Sequence, residues 1–255
     1  MNSSIDLSKT PIRPSKGDSF SELQRASFET FSLALNMKRI INQSPKGNGQ
    51  PVLTLPGYGG GDGSMLAVRY YLNKLNYRAF ELSLGRNFES ADDRIRRIED
   101  AVAFREKMSS AVAKRVETIY QETGQKVTLV GWSMGGLYAL DVSQQLSDNV
   151  AQIITLGTPF GDPRATSMWE LMRKISRSKV AVEDMDFSGW MNKLILTSTE
   201  LPIHVIYSEK DGIVPSHIAK LPDHNDVSYH QVNGSHVGFA FNHEALAKIG
   251  EILNY

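Results

Sequence analysis

The sequence predicts an α/β fold: a mostly parallel sheet with helices on both faces and a small helical cap. Three observations carry the prediction. Apolar runs of strand length alternate with segments of helical period along most of the chain. Those runs are continuous rather than alternating, as strands buried on both faces require. Finally, roughly forty residues after "TPF" contain no strand, and an insertion of that length in a compact domain is usually functional.

The elements follow in chain order. Residues 1–18 read as a loose tail. Between Phe20 and Ile41, the residues Phe20, Leu23, Phe28, Phe31 and Leu35 recur at helical spacing, which predicts an amphipathic helix docked through that face. "NQSPKGNGQ" breaks it. "PVLTLPGYGGGDGS" is a strand running into a glycine-rich loop, followed by a helix from about Met65 to Leu75 and a strand in "YRAFELSL". A long helix spans about Asp92 to Thr123, with Asp92 or Asp93 as its cap. "KVTLVGWS" is a strand, Met134 to Leu146 a helix, and "AQIITLG" a strand. After the insertion come strands in "PIHVIYS" and "DVSYHQV", then a closing helix from Asn242 to Leu253. No internal repeat is visible. The organisation expected is an N-terminal tail and helix (1–50), an α/β core (51–160 and 201–255) and a helical cap (161–200).

Composition excludes several classes. Lys+Arg and Asp+Glu both number 28, so the net charge is zero. Without a basic cluster a nucleic-acid partner is not expected. No apolar stretch is long enough to span a membrane, and the polar N-terminus lacks the apolar region of a secretory signal. Cysteine is absent, which removes disulfides, thiol catalysis and Cys-ligated zinc. A cytoplasmic location and no cofactor or metal are the expectations.

The chemistry concentrates at "TLVGWSMGG", residues 128–136. Gly-x-Ser-x-Gly between a strand and a helix is a nucleophile elbow, a turn so tight that bulkier residues at Gly131 and Gly135 would clash. It raises the Ser133 hydroxyl above the carboxyl edge of the sheet, where ligands bind in open α/β folds. A serine needs a base to take its proton, and the base needs a third group to hold its tautomer. "PIHVIYSEKDGIVP" offers Asp211 in a turn after a strand, with Glu209 as the rival acid. "HQVNGSHVGFAFN" offers His236 in a glycine turn before the last helix. His204 and His230 lie in strands, His217 in a short helical stretch, His224 before a strand, and His243 at a helix start; packing or capping suits them better. Asp141, on the helix after the elbow, reads as a structural or surface charge.

An acyl-transfer intermediate carries an oxyanion, which needs two preorganised N–H donors. Met134, directly after the serine, supplies one, and the loop "LPGYGGGDGS" supplies the other through Tyr58, with Gly59 as second candidate. Arg86 and Asn87 follow a strand and suit a turn better than a substrate clamp.

The chain resembles the α/β-hydrolase superfamily, and within it the esterase and lipase-like bacterial hydrolases. The matching stretches are "PVLTLPGYGGGDGSM", "LNYRAFELSLGRN", "KVTLVGWSMGGLYAL", "QIITLGTPFGDP", "VIYSEKDGIVP" and "NGSHVGF", covering about residues 51–253. The resemblance implies Ser133 as nucleophile, Asp211 as acid, His236 as base, and Tyr58 and Met134 as oxyanion donors. One departure concerns the oxyanion loop: many lipases carry His-Gly where this chain has Pro56-Gly57.

Serine as nucleophile points to acyl transfer, with an ester as the default substrate. The insertion holds four of the nine Met and two of the three Trp. Met168, Trp169, Leu171, Met172 and Ile175, then Met185, Phe187, Trp190, Met191 and Leu194, fall at roughly helical spacing. They either bury the cap on the core or line an apolar cleft for an acyl chain or hydrophobic alcohol, with Trp169, Met172 and Trp190 as substrate-binding candidates. A small-molecule ester or lipid is the expected partner. An acyltransferase or thioesterase would use the same parts, and a binding protein could keep the fold without the chemistry.

Overall fold

The structure, a computed structural model, describes residues 9–88, 95–175, 179–193, 201–221 and 227–254. Asp92 and Asp93, Leu194, His224 and the Ile175 side chain lie outside the described residues. The elements are α1 (Lys16–Gln43), β1 (Pro51–Leu55), α2 (Leu66–Lys74), β2 (Arg78–Phe80), α3 (Ile98–Thr123), β3 (Val127–Trp132) and α4 (Met134–Gln145), then β4 (Val150–Leu156), α5 (Met168–Ile175), α6 (Ser188–Asn192), β5 (Ile203–Tyr207), α7 (Ser216–Ala219), β6 (Val227–Gln231) and α8 (His243–Ile252).

The six strands run in the order β2-β1-β3-β4-β5-β6, and every neighbouring pair is parallel. The chain steps outward from β1 to β2, returns to β3 on the other side of β1, and proceeds from there in the opposite direction. That reversal leaves a crevice beyond the carboxyl ends of β1 and β3.

Alternation along the strands makes two cores. Leu53, Leu55, Leu129, Ile153 and Val205 pack with α3 and α4 on one face. Val52, Val130, Ile154 and Ile206 pack with α1, α2 and α8 on the other. Among the described residues, no helix is long and apolar enough to cross a membrane, and no cluster of His, Asp and Glu could hold a metal ion.

Three expectations are corrected. The apolar stripe of α1 does not dock: Phe20, Leu23, Phe28, Phe31 and Leu35 are between 62% and 87% exposed. The helix buries Glu22, Ala26, Leu33 and Ile40 instead. Two carboxylates on the inner face, Glu22 and Glu29, accept backbone N–H groups of core loops, so polar satisfaction acts together with the burial of Leu33 and Ile40 to select the docked face. The second strand is shorter than "YRAFELSL", ending at Phe80; the Leu82 and Ser83 amides donate instead to Asp62. The long helix starts at Ile98, where Asp100 accepts from the Arg96 and Arg97 amides.

A buried ion pair joins the insertion to the core. Arg105 of α3 donates twice to Asp141 of α4, at 2.8 and 2.6 Å, and Ser109 donates to the same carboxylate at 2.7 Å. The guanidinium also lies over the Trp190 ring of α6, 5.4 Å from its centroid. Asp141 is therefore structural, and Met185, Phe187 and Trp190 are buried in the core that α3 and α4 share. Removing one partner of a buried pair leaves an uncompensated charge. Asp141→Ala is expected to lose about 3–5 kcal/mol of stability, measured as a lowered midpoint in urea unfolding.

Candidate active site

Two loops meet in the crevice between β1 and β3. Ser133 joins β3 to α4 at φ 53° and ψ −123°, one of three non-glycine residues with positive φ among the described residues. The glycines around it are needed for close approach: a Cβ on Gly131 would lie 2.5 Å from the Gly135 backbone, and one on Gly135 would meet the Leu55 carbonyl of β1. Gly57, just after β1, is also tight, because a Cβ there would lie 3.0 Å from Ser133 Cβ. The loop after β1 therefore passes directly against the serine.

The other two groups arrive from loops after β5 and β6. His236 Nε2 lies 3.0 Å from Ser133 Oγ, and His236 Nδ1 lies 2.8 Å from Asp211 Oδ2. The second carboxylate oxygen accepts the Ile213 and Val214 amides at 2.8 and 2.7 Å, which fixes the carboxylate plane. Asp211 and His236 are both buried. Glu209, the rival acid, is exposed and accepts from Ser216 at 2.6 Å. Among the other histidines, His204 and His230 stack on each other across β5 and β6; burial of His204, with His230 beside it, pushes its pKa down to about 4. His217 is exposed in α7. His243 lies 3.3 Å from Ser32 of α1, while Asn242 caps α8.

Met134 is the first residue of α4, so its amide belongs to the helix N-terminal set that lacks intrahelical acceptors. Both Tyr58 and Met134 line the cavity that opens over Ser133. Gly59, the second donor candidate, commits its N–H to the Asn87 carbonyl at 2.6 Å. Asn87 is the rivet of this loop. Its amide donates to the Gly60 carbonyl and its side chain to the Pro56 carbonyl, while it accepts from the Tyr138 hydroxyl of α4 at 2.9 Å. Burial pushes the Tyr138 hydroxyl well above its ordinary pKa, so it stays a donor.

The cavity has a volume of about 350 Å³ and is largely apolar. Trp169, Met172 and Trp190 of the insertion all line it, together with Ile98 and Tyr58. Trp190 is buried and donates to the Gly161 carbonyl at 3.2 Å, so it packs the insertion as well as forming wall.

Two residues near the site carry no sequence motif. Trp132, the variable position of the elbow, donates from Nε1 to the His236 carbonyl at 2.9 Å. Glu22, on α1, is buried and ties the acid loop to the histidine loop. Its Oε1 accepts the Gly212 and His236 amides at 2.7 and 3.1 Å, and its Oε2 accepts the Val237 amide at 3.0 Å. One helical turn from Arg25, it also pairs with that guanidinium at 3.0 Å, and Arg25 reaches the Lys210 carbonyl. Burial pushes the His236 pKa down, but the charge and hydrogen bond of Asp211 and the charge of Glu22 outweigh it. The net value lies above the ordinary 6.5.

An all-parallel sheet with a serine at a strained strand–helix elbow, and an acid and a histidine from the last two strand loops, defines an α/β hydrolase. More particularly, the model of the PGAP1-like alpha/beta domain matches residues 46–251, and the chain belongs to that family. Comparison with curated protein sequences gives no significant match. Among solved structures, the chain is similar to Aspergillus fumigatus lipase B, with 18% identity, 81% of this chain and 53% of that one covered, and a TM-score of 0.57. It is similar also to a lipase-esterase related protein from Clostridium acetobutylicum, with 16% identity, 83% and 97% coverage, and a TM-score of 0.55. A monoacylglycerol lipase from Paleococcus ferrophilus has 13% identity, 79% and 95% coverage, and a TM-score of 0.51. At these identities the likeness is one of fold.

The Glu22 contact has a direct spectroscopic consequence. In wild type, the His236 ring is expected to titrate above pH 6.5 by NMR. In Glu22→Gln the negative charge is gone, and the midpoint is expected to move to lower pH. An unchanged midpoint would mean that the carboxylate does not act on the imidazole.

Proposed function

We propose that the protein is a serine hydrolase that cleaves carboxylic esters with an apolar acyl or alcohol part. The observation that carries this reading is the continuous relay from Ser133 Oγ to His236 to Asp211, at 3.0 and 2.8 Å, opening into an apolar cavity. In the first step Ser133 Oγ bonds to the ester carbonyl carbon while His236 Nε2 takes the hydroxyl proton. Asp211 accepts from Nδ1–H, which keeps Nε2 free as base and then stabilises the imidazolium. The oxyanion is held by the amides of Met134 and Tyr58. His236 returns the proton to the departing alkoxide, leaving an acyl-enzyme. Water, deprotonated by His236, then attacks the acyl carbon and releases the acid and free Ser133.

The residues 161–200 serve as a cap in this reading. Trp169 and Met172 offer the acyl or alcohol group a polarizable apolar wall, and Trp190 anchors that wall through its contact with Arg105. Among the similar structures are a lipase and a monoacylglycerol lipase, and these names support an ester as the bond cleaved.

Ser133→Ala is expected to lower ester turnover by about 10⁴-fold or more with little change in fold, checked with p-nitrophenyl esters from acetate to palmitate. Turnover that survives the substitution would overturn the reading. In wild type, kcat/KM is expected to rise with pH through the His236 midpoint, because only the neutral imidazole can accept the serine proton. Since that midpoint is raised, the rising limb is expected above pH 6.5.

A further inference from the structure

We propose that the outer face of α1 is a docking surface for an anionic lipid layer. Phe20, Leu23, Phe28, Phe31 and Leu35 fall within one stripe at 100° per residue, and all five are exposed. The stripe runs about 22 Å along the helix. Gln24 and Ser27 share the sector, and five exposed large apolar side chains on one helix face mark an interaction site on a globular protein.

Charge selects the occupant. All three carboxylates of α1 lie on the side opposite the stripe: Asp18 accepts from Ser15, Glu22 from the Gly212, His236 and Val237 amides, and Glu29 from Ser235. The exposed cations Lys16, Lys38 and Arg39 sit at the two ends of the stripe, Lys16 before it and the other two after it. An apolar stripe bracketed by cations and free of acids fits the interface of an anionic bilayer, where the rings enter the acyl boundary and the cations reach the headgroups. A second copy of the chain fits poorly. Antiparallel pairing of two such helices would set Lys16 against Lys38 and Arg39, and parallel pairing would set each cation against its own copy, with no carboxylate on either face to compensate.

The inner face of the same helix ends at the candidate site. Ser19 donates to the Gly212 carbonyl at 2.7 Å, and Glu22 holds the amides beside Asp211 and His236. Docking therefore places the lipid surface on the opposite face of the helix that braces the Asp211 and His236 loops. Binding itself does not depend on the ester-hydrolysis reading, and its test does not use activity.

The test is co-sedimentation of the full chain with phosphatidylcholine vesicles, with and without a third of phosphatidylglycerol. Wild type is expected to pellet with the anionic vesicles, to bind neutral vesicles at least about tenfold more weakly, and to be released by salt. Lys38→Glu/Arg39→Glu is expected to weaken binding about thirtyfold or more, and Phe28→Ser/Phe31→Ser to abolish it. Circular dichroism and the His236 NMR titration are expected to be unchanged in both variants, because the four side chains are exposed. Failure of wild type to bind, equal binding to both compositions, or unchanged binding by either variant overturns the proposal. So does a wild-type dimer in sedimentation velocity that Phe28→Ser/Phe31→Ser converts to monomer without any vesicle binding, which would assign the stripe to a second copy.

Discussion

Ser133 is held in a backbone conformation that an L-residue adopts at a penalty of about 1–3 kcal/mol, and the site depends on that single strained residue. The turn persists because β3, β1 and α4 are packed too closely for any alternative. Gly131 touches Gly135, Gly135 rests on the Leu55 carbonyl, and Gly57 passes against the serine itself. The same closeness places the hydroxyl at the point where strand order reverses, so sheet topology and local strain locate the site together. A side chain at Gly131 or Gly135 would separate strand from helix and move the hydroxyl away from His236.

The sheet does not by itself bring the acid and the histidine to that hydroxyl. They hang on loops after β5 and β6, and those loops are joined by groups from elsewhere. Glu22 collects three amides from both loops, Glu29 holds Ser235, and Trp132 holds the His236 carbonyl. Helix α1 precedes the segment that the family model matches, yet it carries two of these three contacts. A buried carboxylate beside the Asp211–His236 pair also favours the protonated imidazole, which makes Glu22 an electrostatic partner as well as a mechanical one. On the other side of the crevice, Asn87 plays the matching part for the loop that carries Tyr58.

Much of this was legible in the sequence because it rests on short-range rules. Continuous apolar runs gave the buried parallel strands, and the glycine spacing around Ser133 gave the elbow. The turn chemistry of "KDGIVP" and "NGSHVG" marked the two loops that meet it. What escaped depends on long-range satisfaction of polar groups. Hydrophobic period chose the wrong face of α1 because nothing local tells that Glu22 and Glu29 have loop amides waiting for them. The start of α3 was misplaced because Asp100, inside the helix, satisfies the amides of Arg96 and Arg97 from three or four residues on. Asn87 read as a turn residue, and its second role toward Tyr138 and Pro56 required the fold. The insertion mixes both cases. Its Met and Trp residues announced an apolar surface, but only Arg105, from a distant helix, shows why Trp190 is buried even as it lines the cavity beside Trp169 and Met172.

The central claim is that Ser133 is an activated nucleophile, and covalent trapping tests it most directly. Intact-protein mass spectrometry after brief exposure to a fluorophosphonate, with peptide mapping of the adduct, is predicted to find one phosphonyl group on Ser133. The same experiment on His236→Ala is predicted to find almost none. A folded wild-type protein that takes no label, or that takes it on another serine with His236 irrelevant, would contradict the account.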